Sequence, residues 1–287
     1  MSEIGIPTFS DLGNDTSVSS NVVKFEELGA GVINILLFLG LVASIYIKEV
    51  DEKYREFMFA GFGFLLALVY MIVGIMCAQG GGSGCLLYLT LFLIFGNIGA
   101  IYLNKQQSGL IKGAKIPLSD TYMGYTNAGV FILAGLVMVY YNYTVTRSFT
   151  SPSTWLMPLA LVMWGVVHLI RKGELKDKFL KATRIDLSEQ YYIVPSIIFA
   201  LSTVWYMYTS LEIGLRGEGV MNYNYLILAM ICMQLTVITA QLAFDKGETL
   251  TVVGNEPYEK VTTYLISVAS LGVGALYLLK QNSCANN

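Results

Sequence analysis

Along this chain, long uninterrupted apolar runs are separated by short polar segments. Eight runs stand out, at 29–47, 57–78, 84–103, 125–145, 155–170, 191–211, 223–244 and 261–279. Each is close to the roughly 20 residues that a helix rising about 1.5 Å per residue needs to cross about 30 Å of hydrocarbon. Barrel strands would be about half that length and would alternate apolar with polar positions. The runs do not alternate, and only helices or closed barrels satisfy every backbone group in lipid. The pattern therefore predicts an all-α integral membrane protein, a polytopic bundle of eight transmembrane helices.

The polar segments also follow a pattern. Every second one ends on an oxygen-bearing residue three places before a tyrosine: Asp51 and Tyr54, Ser119 and Tyr122, Ser188 and Tyr191, Asn255 and Tyr258. The four oxygen-bearing residues are 68, 69 and 67 positions apart. Such a side chain can accept from the free amides that open a helix, and a tyrosine suits the headgroup level. This spacing predicts four helical hairpins. It also suggests tandem duplication of a four-helix half in parallel orientation, 29–145 and 155–279, since four crossings return the chain to its starting side. A polar segment, 1–28, precedes the halves, and a short tail, 280–287, follows them.

Basic residues orient the bundle. Segments after the first, third, fifth and seventh runs hold 14 of the Lys and Arg residues, and the other side holds 4. The positive-inside rule places the rich side in the cytoplasm and both termini outside or in a lumen. Residues 1–30 lack the basic-then-apolar plan of a cleaved leader, so the first span is expected to direct its own insertion.

Composition agrees with a lipid-facing surface. Apolar residues make up 55% of the chain and charged residues 13%, about half the charge a soluble domain carries. A formal net charge of −2 supplies no field for nucleic acid. The expected partners are the lipid bilayer and, through small-residue helix faces, other proteins or further copies of the chain. Those faces pair Gly61 with Gly63, Gly96 with Ala100, and Ser270 with Gly274.

Candidate chemistry is sparse. His168 is the sole histidine and is expected to be an interfacial side chain near the end of the fifth span. No carboxylate is expected deep in a span, so neither a metal site nor an acid–base pair can be assembled there, and no cofactor is implied. Asp186 and Glu189 fit a capping box. The final span has Lys260 before it and Lys280 after it, so no buried lysine is expected for a retinal Schiff base. The potassium-channel filter motif is also missing.

Neutral polar residues are the stronger candidates. Thr90 and Asn97 in the third run, and Gln234 and Gln241 in the seventh, are each seven apart and share a helix face. They would either line a narrow polar route or bond between helices, and the second is favoured because such bonds hold bundles together. Gly80–Gly84 is expected to be a tight turn rather than a phosphate cradle. Cys77 and Cys85 flank that turn and are candidates for a disulfide, while Cys232 is mid-span packing. Asn14 opens a glycosylation sequon on the outer side, whereas the sequon at Asn142 lies too close to the membrane to be modified.

These features predict a non-enzymatic protein, foremost a structural or assembly subunit of a membrane complex. The alternative is a passive channel or facilitative transporter for a small neutral solute or water.

Overall fold

The computed structural model describes residues 20–46, 52–79, 84–105, 120–146, 148–171, 181–182, 189–213, 223–243, 251–253 and 256–285. Eight long helices account for nearly all of them: α1 Ser20–Tyr46, α2 Glu52–Gln79, α3 Cys85–Lys105, α4 Asp120–Thr146, α5 Pro152–Arg171, α6 Ile193–Ile213, α7 Tyr223–Ala243 and α8 Tyr258–Ala285. A 3-10 turn, Glu189–Tyr192, leads into α6. Two short antiparallel strands, β1 Thr251–Val253 and β2 Glu256–Pro257, lead into α8. All eight helices are long and apolar enough to cross a membrane, as the sequence pattern predicts.

Helix starts follow local chemistry. α2 and α4 begin one residue after Asp51 and Ser119, and the 3-10 turn begins one residue after Ser188. Those three side chains, with Asn255, lie outside the described residues. α5 opens on Pro152, where the missing N–H costs nothing, and the Thr154 amide closes its first turn onto the Ser151 carbonyl at 3.0 Å.

The helices are apolar all round. Leu39, Leu68, Leu136, Leu201 and Val204 face outward, while Leu41, Leu66, Phe131, Leu161 and Phe199 are buried. A helix apolar on both faces is stable in lipid and would expose a large apolar surface to water. An integral multi-pass membrane protein follows from these eight helices.

Each helix packs on its sequence neighbours and α8 packs on α1, which closes a ring. The directions alternate: the start of α1 meets the end of α8 at Glu27 and Lys280, and the start of α5 meets the end of α6 at Ser153 and Trp205. We call the end that holds these two contacts the terminal end.

Interfaces around the ring alternate between extensive and lighter. The extensive ones are α2/α3, α4/α5, α6/α7 and α8/α1, the pairs that meet across the terminal end. The Asp51-type caps suggested grouping helices across the opposite end. Glycine accounts for the difference. A Cβ on Gly63 would lie 2.7 Å from the Gly99 Cα, one on Gly165 2.7 Å from the Ala128 carbonyl oxygen, and one on Gly274 3.0 Å from the Gly31 carbonyl oxygen. Backbones therefore touch at α2/α3, α4/α5 and α8/α1. At α6/α7 the Ser196 hydroxyl donates to the Thr236 carbonyl at 2.8 Å. Of the small-residue pairs expected to seal helices, Gly63 and Gly274 do so, whereas Gly61 faces open space.

Aromatic stacking fills the core between these seams. Phe131 stacks on Trp164 with centroids 4.0 Å apart, Phe59 on Tyr102 at 4.7 Å, and Tyr70 on Phe95 at 5.6 Å.

Candidate functional site

The neutral polar residues singled out in the third and seventh runs are all buried, and each is held by a hydrogen bond. Thr90 turns back on its own helix and donates to the Leu86 carbonyl at 2.9 Å. Asn97 donates across α3/α4 to the Asn127 carbonyl at 3.0 Å. Gln241 accepts from the Tyr102 hydroxyl at 3.2 Å, which ties α7 to α3 across the ring. The two helices expected to share an interior thus meet there, through a tyrosine the spacing argument did not include.

Gln234 is the most elaborately bonded. Its amide donates to Asn34 Oδ1 on α1 at 3.0 Å and to Ser270 Oγ on α8 at 2.9 Å. Asn34 in turn donates to the Ala30 carbonyl at 2.8 Å, and Ser270 to the Ile266 carbonyl at 2.8 Å. The Gln234 carbonyl oxygen is buried and has no hydrogen-bond partner among the described residues. Three helices are joined at mid-span by one amide, and one acceptor is left over.

His168 is 7% exposed, so it is a core residue rather than the interfacial side chain expected. Its Nδ1 shares a 2.9 Å hydrogen bond with the Tyr192 hydroxyl, and its ring stacks on Phe131 at 5.9 Å. The expectation failed because the 3-10 turn before α6 brings Tyr192 over the ring, and no hydropathy window registers that partner. Trp164 completes the cluster edge-on to Phe199 at 6.0 Å, although its own N–H finds no acceptor among the described residues.

The largest departure from expectation is at the terminal end. α1 begins at Ser20, so Glu26 and Glu27 belong to a spanning helix and not to the polar segment assigned to 1–28. Both are buried, at 6% and 1% exposure. α8 likewise runs to Ala285, so Lys280 lies within it, and its Nζ sits 3.3 Å from Glu27 Oε1. The ammonium at that distance neutralises the charge of the carboxylate.

Glu26 is held differently. The Tyr88 hydroxyl donates to Oε2 at 2.7 Å and the Tyr277 hydroxyl to Oε1 at 3.4 Å; Tyr277 also shares a 3.2 Å hydrogen bond with Tyr70. Its two hydrogen-bond partners are tyrosines on α3 and α8, with Tyr70 of α2 behind Tyr277. The sequence carries one signal of this cluster: two carboxylates immediately before an apolar run, with a lysine immediately after the final run on the same side.

Cys77 and Cys85, the candidates for a disulfide, are unbridged thiols in this structure. Cys77 Sγ instead packs on the turn, 3.6 Å from where a Cβ on Gly84 would stand. Gly80 to Ser83 and Asn14 lie outside the described residues. The Asn142 amide is buried and donates to the Ser153 carbonyl at 2.9 Å. No three metal-ligating side chains converge among the described residues.

No protein-family model, curated protein or solved structure matches the chain significantly, so the residues themselves carry the functional argument.

Proposed function

We propose that this chain is a non-enzymatic subunit that gives a membrane complex structure or assembly contacts. One observation carries this: the interior amides are spent joining helices, Asn97 to α4, Gln234 to α1 and α8, and Gln241 to α3. Side chains so engaged rigidify a bundle and leave its outward apolar face for lipid or protein neighbours. Purification in mild detergent followed by native electrophoresis and cross-linking tests it. A larger assembly is expected; a solitary monomer without partners would overturn the proposal.

The same proposal includes a tandem duplication with both termini outside or lumenal. If α1–α4 and α5–α8 are equivalent, the α4/α5 interface corresponds to α8/α1, and both are sealed by glycines, Gly135 against Pro158 and Val162 and Gly165 against Ala128 and Ile132 in the first, Gly31 against Gly274 in the second. The basic-residue bias supports the orientation. Labelling a cysteine placed at Lys112 from each side of sealed vesicles checks it.

A passive route for water or a small neutral solute is the second reading, favoured by the unpartnered Gln234 carbonyl oxygen at mid-span. Flux into reconstituted vesicles, with Asn97→Leu and Gln234→Leu alongside, decides it. Wild-type protein that conducts nothing, or variants that conduct equally, would exclude the route.

A further inference from the structure

We propose that Cys77 and Cys85 together form a modification site for small-molecule disulfides, in which Cys85 reacts first and Cys77 completes a bridge between α2 and α3. Both are unbridged thiols. Cys77 lies two residues before the end of α2, and Cys85 opens α3. Contacts with two glycines set them side by side. A Cβ on Gly84, the residue before Cys85, would stand 3.6 Å from Cys77 Sγ, and one on Gly74 would stand 4.0 Å from the Cys85 carbonyl oxygen. Gly74 and Cys77 are three apart on α2 and share a face, so Cys85 lies over the face that carries the Cys77 sulfur. The Cys77 thiol is also hydrogen-bonded to the Cys85 backbone.

Accessibility separates their roles. Cys77 is 3% exposed, whereas Cys85 is half-buried and is the first residue of its span, level with the aqueous boundary. Thiol–disulfide exchange needs a thiolate that a dissolved disulfide can reach, and an internal bridge needs a second thiol beside the product. Cys85 meets the first requirement and Cys77 the second. Cys232, 0% exposed at mid-span, meets neither.

The oxidant is a dissolved disulfide such as oxidised glutathione. The Cys85 thiolate attacks one of its sulfurs, forms a mixed disulfide and releases one thiolate, which takes up a proton. Cys77 then loses its proton, attacks Cys85 Sγ and expels the second thiolate. The protein pair gives up two electrons and two protons, and the dissolved disulfide becomes two thiols. The bridge would fasten the terminal end of the interface that Gly63 and Gly99 close further along. The orientation proposed above puts this end where disulfides persist, but the exchange itself does not depend on that orientation.

The test uses the full chain with Cys284→Ser, which removes the thiol in the last turn of α8, in mild detergent across glutathione buffers graded from reducing to oxidising. After acid quenching the remaining thiols are alkylated and the peptides mapped by mass spectrometry. A Cys77–Cys85 bridge within one chain is expected, reversed by dithiothreitol, with Cys232 reduced throughout. It should form in a buffer about tenfold more reducing than the same chain requires when unfolded in urea and dodecyl sulfate, because the fold holds the two thiols together. Cys77→Ser should stop at glutathione on Cys85, and Cys85→Ser should leave Cys77 unmodified. If either variant fails to fold by tryptophan fluorescence, the comparison of folded with unfolded chain decides. No bridge in any buffer, a bridge only between chains, a bridge no more favourable than in the unfolded chain, or glutathione on Cys77 ahead of Cys85 would each overturn the proposal.

Discussion

Two glycines on one helix offer a matched experiment on what holds the ring together. Gly61 and Gly63 are two residues apart on α2, yet a Cβ on Gly61 would meet nothing within 4 Å, and one on Gly63 would lie 2.7 Å from the Gly99 Cα and nitrogen and 2.9 Å from the Phe95 carbonyl oxygen. Gly61→Ala therefore adds only helix preference, up to about 1 kcal/mol in its favour. Gly63→Ala gains the same preference but must open α2/α3 from 2.7 Å to the 3.4 Å or more of ordinary contact. Backbone atoms on both sides cannot rotate away, so the whole seam moves, at a cost of about 1–3 kcal/mol as for other overpacked cores. The helix preference cancels between them, so the variants should differ by roughly 1–3 kcal/mol. Unfolding in mixed micelles with increasing denaturing detergent, read by tryptophan fluorescence, measures the difference. If Gly63→Ala is as stable as Gly61→Ala, the idea that backbone contact seals α2/α3 is wrong.

Three further outcomes are expected. A double-mutant cycle on Asn34→Ala and Gln234→Ala should give a coupling of about 0.6 kcal/mol, the usual yield of one hydrogen bond between helices in a membrane; additive effects would mean that the two amides are not bonded. Lys280→Met leaves Glu27 charged and 1% exposed, and should destabilise by about 3 kcal/mol or somewhat less, since the lysine is partly solvated at 17%; adding Glu27→Gln should restore most of it, and a double variant no better than the single would refute the pairing. In a glycosylating cell Asn142 should carry no glycan, because its nitrogen is committed to the Ser153 carbonyl; a glycopeptide containing Asn142 would contradict that contact.

Membrane crossing was legible because it depends on local transfer energies, and an apolar run of sufficient length is stable in lipid whatever its neighbours do. The burial of Asn97, Gln234 and Gln241 was legible for the same reason, but their partners were not. Gln234 lies 200 residues from Asn34, and Tyr102 lies 139 from Gln241. No spacing rule within one helix reaches that far.

The amino-acid order alone determined that eight helices cross the bilayer and, apart from the outer turns of α1 and α8, about where each begins and ends, since hydrophobicity and turn chemistry act over a few neighbouring residues. Tertiary structure alone decided that α8 closes on α1, that glycine seams fall on three of the four extensive interfaces, and that Glu26 and Glu27 are interior. A window of sequence counts those carboxylates as polar and ends the span before them. They are tolerated inside because Tyr88, 62 residues away, Tyr277, 251 residues away, and the Lys280 ammonium reach them only once the ring has formed.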